Sequence, residues 1–308
     1  MAHNVETMAY AGDVPWHGLG TKVDSNISVD EMVKAAGIDW KVNLEPIQVN
    51  GTTLQGKKAL CRDDGTFYDF VSDKWNPCNN RDAFEVFEPF VKAGELELDT
   101  AGSLKDGRIV WGLAKMKERF DLFKEDTTEN YLLLVNPHQW GKKIHVRSTP
   151  IRVVCNNTLS LSLGQLSSNE VSQSHKNVFD VQMMWDALGI AKEKFNTYKQ
   201  VAEFISNVEY SDKKVQEYFA KCFPGYSKSK DESVISRNAE QAMDVLRRQP
   251  GNEYGKNTWW QAFNAVTYMS DHMVGKTDDS RMYSAWFGSN MSRKNKALEL
   301  AVEYAEAA

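Results

Sequence analysis

The chain has 308 residues, and its 42% hydrophobic and 26% charged content is typical of a folded globular protein. Its formal net charge of −5 argues against a general nucleic-acid coat protein. No apolar run of about eighteen residues is present, which excludes a membrane-spanning helix, and the polar N-terminus lacks the pattern of a signal peptide. We therefore expect a cytoplasmic protein.

Cysteine and histidine spacings give no reason to expect a metal or a cofactor. Cys61, Cys78, Cys155 and Cys222 lie far apart in the chain, so no pair has the spacing of a metal site or a redox motif. We expect free thiols in a reducing compartment. The six histidines also lack a ligand-like spacing, so the sequence predicts neither a metal site nor a cofactor.

The N-terminal half has the pattern of an antiparallel β-meander with flanking helices. Two-residue turn signals, such as Asn50-Gly51 and Asp64-Gly65, separate segments in which apolar and polar residues alternate. In chain order we expect a helix over 28–36, strands over 40–44, 57–62 and 67–71, a helix over 81–93, strands over 95–98 and 109–114, and two or three more over 131–154.

From about residue 176 onward, apolar residues recur at three- and four-residue spacing, which predicts helices. We expect helices over 177–207, as a hairpin of two, and over 233–249, 257–273 and 292–306. The sequence thus predicts an α+β fold, with a mostly helical C-terminal half. The expected domains are an α+β domain with an antiparallel sheet over 1–175 and a helical region over 176–308 packed on it.

One long segment of the chain contains no acidic residue. Between Tyr131 and Asn169 there is neither Asp nor Glu, and the four cations of the segment give it a charge of +4. Positive charge gathered on an otherwise acidic protein is typical of a surface that meets an anionic partner, above all a phosphate backbone. The four cations are Lys142, Lys143, Arg147 and Arg152.

The central part of this segment alternates in the manner of a strand. Lys143, His145 and Arg147 would lie on one face, and Ile144 and Val146 on the other. Successive cations on one face would lie about 7 Å apart, close to the phosphate spacing of an extended single strand. The alternative is an ordinary solvated strand whose cations pair with acids from elsewhere in the fold.

A second anion site is expected where the strand over 149–155 ends. Asn156, Asn157 and Thr158 have the side chains of helix caps, and we expect them to begin a helix over 159–165. The N-terminus of such a helix beside a basic strand would attract an anion. The alternative is that these residues are turn and capping residues only.

A glycine-containing segment near the N-terminus fits neither the dinucleotide-binding fingerprint nor the P-loop pattern. Its Trp16 either stacks on a base or anchors the segment to the core, and Lys22 follows six residues later. The candidate nucleic-acid-binding residues are therefore Lys142, Lys143, His145, Arg147, Arg152, Asn156, Asn157, Trp16 and Lys22.

No catalytic motif is present. The chain has no G-x-S-x-G pattern and no serine–lysine pair, and the adjacent Asp63 and Asp64 are explained by a hairpin turn. The sequence favours a non-catalytic protein, although a nuclease or hydrolase whose residues converge only in the fold stays open.

Several strings along the chain form a recognisable set: 15–20, 35–42, 100–104, 149–159, Ser174-His175, 263–268 and Asp271-His272. Together they resemble the phage/plasmid-like proteins of laterally transferred elements, a family known chiefly as a domain of unknown function. The resemblance runs nearly from end to end. It implies a phage, prophage or plasmid gene and hence the cytoplasm of a bacterial host, and the family offers no established catalytic residues that could be carried over to this chain.

In that setting the sequence favours a single-stranded DNA binding or annealing protein of phage or mobile-element recombination. An annealing protein needs a cationic groove and extended strands, and usually an oligomer, but neither a nucleophile nor a metal. The expected partners are single-stranded DNA and further copies of the chain, as a ring or filament. Two alternatives stay open: a protein-binding factor that acts on host defence or host machinery, and an uncharacterised nuclease or hydrolase.

Overall fold

The computed structural model describes residues 5–12, 20–152, 157–158, 171–225, 235–275 and 278–308. Within these ranges the chain forms an eight-stranded sheet, a three-stranded sheet and nine α-helices. Strands come mostly from the N-terminal half and helices mostly from the C-terminal half. The prediction of an α+β fold is confirmed.

The strands are β1 (Val5–Tyr10), β2 (Thr21–Lys22), β3 (Val42–Val49), β4 (Thr52–Arg62), β5 (Phe67–Ser72), β6 (Leu96–Leu104), β7 (Ile109–Asp121), β8 (Thr127–Pro137), β9 (Lys143–Arg152), β10 (Asn157–Thr158) and β11 (Val171–Ser174). The helices are α1 (Val29–Ala35), α2 (Asn80–Phe84), α3 (Glu88–Lys92), α4 (Val181–Ser206), α5 (Asp212–Cys222), α6 (Arg237–Val245), α7 (Trp259–His272), α8 (Asp278–Phe287) and α9 (Ser289–Glu306).

The three-stranded sheet is the predicted meander, in the order β3-β4-β5. Asn50 and Gly51 connect β3 and β4 with φ angles of 50° and 78°. Both values are positive, as the tight hairpin turn requires, and Asn and Gly are the residues that adopt them at least cost. The turn that leads into β5 has Gly65 at φ 89°.

The larger sheet has the order β10-β9-β8-β7-β6-β1-β2, and β11 also pairs with β9. Strands β6 and β7 form a hairpin whose turn contains Asp106 and Gly107, with φ angles of 56° and 84°. Strand β1 was not predicted. It pairs antiparallel with β6, which lies about ninety residues later in the chain, so no local turn signal announces it.

Two predicted helical segments differ from the structure. The segment 81–93 is broken into α2, a short 3-10 turn (Glu85–Phe87) and α3, because Pro89 in the first turn of α3 has no N–H to continue a helix. The segment 177–207 forms the single 26-residue helix α4, not a hairpin of two. Its interior has no proline, and Gly189 alone does not end the helix.

Two compact units divide the chain. The first comprises residues 1–117, 131–147 and 169–191, and its core is formed by α1, α2 and apolar strand residues. The second comprises residues 118–130, 148–168 and 192–308, and its core is mostly helical and rich in aromatic residues. The proposed division at residue 175 stays a prediction. Among the helices of the described ranges, none combines the length and the apolar character that a membrane span requires.

Candidate nucleic-acid interface

The start of β9 presents exposed positive charge. Lys142 and Lys143 are exposed, whereas Ile144 and Val146 are 2% and 1% exposed, so the strand alternates as expected. Among the described residues no acid forms an ion pair with Lys142 or Lys143. The alternative of an acid-neutralised strand therefore does not describe these two lysines, which can meet an external anion.

The ladder of cations does not continue along β9. His145 and Arg147 are half-buried, and Arg147 Nη2 lies 2.9 Å from His145 Nε2. A guanidinium can only donate, so Nε2 accepts and His145 is neutral. Burial and then the charge of Arg147 hold the pKa of His145 well below its ordinary value. These two residues contact each other within the fold, and they do not extend an open row of charge.

The reason is the position of β9 inside the sheet. The prediction treated its polar face as a solvated one. In the structure β11 pairs with the first half of β9, with Ser172 opposite His145, and β10 pairs with its end. Neighbouring strands flank β9, so its central side chains lose solvent. Lys143 is opposite Ser174, the last residue of β11, and its side chain stays exposed, as does the turn before it.

That turn carries an exposed tryptophan. The Lys142 N–H donates to the carbonyl of Gln139 at 3.3 Å and closes a four-residue turn with Trp140 and Gly141 in its centre. Gly141 has a φ of 76°, a value that favours glycine at this position. The Trp140 side chain is 65% exposed. The β8–β9 turn therefore carries an exposed aromatic side chain two residues before the first of two exposed lysines.

The candidate residues at the end of β9 are described only in part. The backbone of Asn157 pairs with that of Arg152, so residues 157–158 form the strand β10. Thr158 pairs with Ile151 in the same ladder. The expected helix over 159–165, with Asn156, lies outside the described residues, as does Trp16.

Lys22 is exposed in β2, at the opposite edge of the larger sheet. Four strands separate β2 from β9, which corresponds to about 24 Å at the usual strand spacing. The sheet therefore does not bring Lys22 to the β8–β9 turn. Of the candidate cations whose side chains are described, Lys142 and Lys143 are the exposed ones that follow an exposed aromatic residue in the chain.

A buried network of polar side chains holds the residues just before the turn, and no pattern in the sequence indicated it. His138 Nε2 lies 2.9 Å from Asn80 Oδ1, and Asn136 Nδ2 donates to the same oxygen at 3.1 Å. Asn80 Nδ2 in turn donates to the carbonyl of Ile38, which identifies Oδ1 as the acceptor and His138 Nε2 as a donor. Burial, with a smaller contribution from His175, lowers the pKa of His138 to about 3. The residues just before the turn are thus fixed by neutral hydrogen bonds.

The second unit contains a buried ion pair that the sequence also did not reveal. Lys294 Nζ on α9 lies 2.6 Å from Asp271 Oδ1 on α7, and the two side chains are 0% and 6% exposed. Burial lowers the pKa of Lys294, and the carboxylate opposes that shift. Asn290 Nδ2 donates to the carbonyls of Ser270 and Val274, close in sequence to Asp271. These contacts join α9 to α7, and the pair acts as a structural tie.

Most of the chain matches one protein family. The model of the family described as "Domain of unknown function (DUF932)" matches residues 68–297, about three quarters of the chain. The chain belongs to this family. The matched segment includes Trp140, Lys142 and Lys143. The chain has no match among the curated proteins and none among the solved structures.

Proposed function

We propose that this protein binds single-stranded DNA at the β8–β9 turn and anneals complementary strands. The observation that carries the proposal is the exposed Trp140 followed by two exposed lysines that pair with no acid among the described residues. Surfaces that bind single strands without sequence preference combine the same two elements: cations for the backbone and aromatic rings for the bases.

The distribution of charge supports binding at this place. The whole chain carries −5, and the segment 131–169 carries +4 without an acid. A polyanion is therefore repelled by most of the protein and attracted by this segment. Stacking of one base on an aromatic side chain contributes about 1–3 kcal/mol, so Trp140 adds an attraction that salt does not screen.

Annealing also requires that the strand be laid out with its bases accessible, usually along an oligomer. The proposal therefore includes a ring or filament of identical chains. It further includes a role in the recombination of phage or plasmid DNA, which rests on the resemblance of the sequence strings to proteins of laterally transferred elements. Neither extension follows from the β8–β9 turn itself.

The binding site is tested with a charge-matched pair of double variants. Lys142→Ala/Lys143→Ala removes the two site cations, and Lys34→Ala/Lys213→Ala removes two exposed cations elsewhere, on α1 and α5. Affinity for a fluorescent oligo-dT is measured by anisotropy over a range of salt concentrations. The site variant should weaken binding and reduce the slope of log K against log salt by about 1.4, because each lost phosphate contact accounts for about 0.7 on a single strand.

The control variant should keep the salt slope of the unmodified protein. If both double variants behave alike, the β8–β9 turn is not the site. If the unmodified protein binds no oligonucleotide even at low salt, the function itself is wrong. Annealing is measured separately, as the rate at which two complementary oligonucleotides pair. Its failure, or a monomeric mass with bound oligonucleotide, would leave a binding protein that does not anneal.

A further inference from the structure

Two phenylalanines on β5 are exposed side by side. Phe67 and Phe70 are 42% and 56% exposed, and their ring centroids lie 4.7 Å apart. Exposed apolar side chains that lie next to each other, unlike single scattered ones, often mark a binding surface. Together with Trp140, they form what we call the aromatic patch (Phe67, Phe70 and Trp140). All three belong to the first unit.

A β-bulge places the two phenylalanines on the same face. Residues three apart in a regular strand point to opposite faces. In β5 the register shifts, so that Phe67 is opposite Cys61 while Asp69 is opposite Leu60, and Tyr68 is the extra residue. Bulges of this kind redirect side chains and occur often beside functional sites. The bulge therefore produces an exposed aromatic pair that a regular strand would separate.

The bulge is held by hydrogen bonds on its own backbone. Arg108 donates from Nη2 to the carbonyl of Phe67 at 3.3 Å and from Nε to the carbonyl of Tyr68 at 3.4 Å. The Asp69 carboxylate accepts from the Phe70 N–H at 2.8 Å and from the Trp140 N–H at 2.9 Å. The same carboxylate thus connects the exposed strand to the β8–β9 turn. One carboxylate therefore accepts hydrogen bonds from the backbone of two members of the aromatic patch, Phe70 and Trp140.

The neighbouring strand leaves room above the phenylalanine rings. The residues opposite Phe70 and Phe67 on β4 are Ala59 and Cys61, whose small side chains project little beyond the sheet. Lys57, also on β4 and exposed, lies two residues before Ala59 and so on the same face. Glu45 on β3 is opposite Ala59 and contributes the acid of this face. Aromatic rings that have small side chains beside them and cations nearby are suited to bind a ligand that is both planar and anionic.

We propose that the aromatic patch stacks the unpaired bases of a single strand whose phosphates contact Lys142 and Lys143. This inference rests on the proposed function and deepens it, because it states that the protein recognises the unpaired bases of the strand as well as its phosphates. Duplex DNA keeps its bases stacked on one another and cannot offer their faces to the patch. The site therefore selects single strands over duplex, and its sequence preference is low.

The test compares the unmodified protein with Phe67→Ala/Phe70→Ala, and with Val49→Ala/Leu54→Ala as a matched control. Val49 and Leu54 are 58% and 47% exposed in the same small sheet and are aliphatic. Two probes of equal length are used: oligo-dT and an abasic oligonucleotide that has the phosphates without the bases. The unmodified protein should prefer oligo-dT by about tenfold or more, since stacking of one base accounts for roughly 5- to 150-fold in affinity.

The phenylalanine variant should lose most of that preference and keep its weaker affinity for the abasic probe, whereas the control should keep both. Phe67→Tyr/Phe70→Tyr retains the rings and should retain the preference, which separates stacking from misfolding. Equal affinity of the unmodified protein for both probes overturns the inference and leaves the function standing. A phenylalanine variant that binds normally but changes its mass in solution also overturns it, because the patch would then contact a second copy. Binding to neither probe at low salt overturns the proposed function.

Discussion

The backbone N–H of Trp140 donates a 2.9 Å hydrogen bond to Asp69 Oδ2, which joins the turn before β9 to the bulged strand β5. The acceptor is a carboxylate, so an acid lies within a surface that we propose for DNA. On electrostatic grounds alone Asp69 would weaken binding. Its two backbone hydrogen bonds give it a different role, because they fix Trp140 and Phe70 relative to each other.

The role of Asp69 leads to a prediction whose sign distinguishes the two effects. Asp69→Ala removes a negative charge, which by itself should strengthen the binding of oligo-dT. It also removes the acceptor that positions Trp140, which should weaken binding. We expect the second effect to prevail, with affinity reduced about threefold to tenfold, because one or two charge-assisted hydrogen bonds contribute more than one screened surface charge. Anisotropy with oligo-dT measures the change.

Asp73→Ala is the matched control for that measurement. Asp73 is exposed just beyond the end of β5, and no hydrogen bond of its side chain is found among the described residues. Its removal should leave the affinity unchanged or slightly raise it. Tighter binding of both variants would show that Asp69 acts only as a charge and that the aromatic patch does not depend on the link.

The buried histidine near the turn predicts acid sensitivity. Burial lowers the folded-state pKa of His138 to about 3, against an ordinary value of 6.5. Below pH 6.5 the unfolded chain binds a proton at this residue that the folded chain does not bind. The contribution of His138 to stability is therefore complete above pH 6.5 and is lost progressively between pH 6.5 and 3. The loss is about 1.4 kcal/mol per pH unit once the unfolded residue is protonated.

Urea unfolding at several pH values between 4 and 7 measures this dependence. His138→Gln keeps a hydrogen-bond donor for Asn80 but cannot titrate. The slope of the free energy of unfolding against pH should therefore correspond to the uptake of one proton fewer on unfolding. A variant that is less stable at every pH but has the unchanged pH slope would contradict the assignment of this proton to His138. Control measurements use a variant of an exposed residue, Lys74→Ala.

The ion pair between Lys294 and Asp271 predicts a strong asymmetry between single and double replacement. Lys294→Ala leaves a buried carboxylate without its partner and should lower the free energy of unfolding by about 3–5 kcal/mol. Lys294→Met/Asp271→Leu replaces both charges by apolar groups and should recover most of that loss. Lys296→Ala, at an exposed position of the same helix, should change stability by less than about 0.5 kcal/mol. Equal losses in the single and double variants would show that the pair is not a structural tie.

Local sequence signals were sufficient to predict the meander and most helices. They were insufficient for an element whose stabilising contacts come from residues that are distant in the chain. The turn at Asn50-Gly51 is encoded in two adjacent residues, and Ser28 with Glu31 forms the capping box that begins α1. Strand β1 and helices α5 and α8 were not predicted. For β1 the stabilising contacts come from β6, so its short segment carries little local information.

The candidate site was predicted in part for a similar physical reason. The charge of a segment and the alternation of its polar and apolar residues can be read from the sequence. They correctly placed Lys142 and Lys143 at the exposed beginning of a strand. The half-burial of His145 and Arg147 depends on strands β10 and β11, which the sequence pattern did not place beside β9. The exposure of Phe67, Phe70 and Trp140 could not be predicted, because the sequence does not distinguish an exposed aromatic residue from a buried one.

One of the family-like strings, 100–104, has a structural explanation in Gly102. This residue lies in β6 between β1 and β7, opposite Met8 and Trp111. A Cβ atom added there would lie 2.5 Å from the carbonyl oxygen of Thr7 and 2.7 Å from the Cβ of Met8. Strand β1 therefore approaches β6 so closely at this point that only glycine fits. The string reflects packing of the sheet and not a binding site.

Replacement of two glycines should thus have opposite effects on stability. Gly102→Ala should lower the free energy of unfolding by about 1–3 kcal/mol, because the added methyl group meets backbone and Cβ atoms that can move only if β1 shifts. Gly189→Ala lies at an exposed position of α4, where an added Cβ meets no atom within 4 Å, and should raise stability by about 0.5–1 kcal/mol through helix propensity. Urea unfolding of the two variants measures both changes, and a Gly102→Ala protein as stable as the unmodified chain would show that β1 does not pack against β6 in this register.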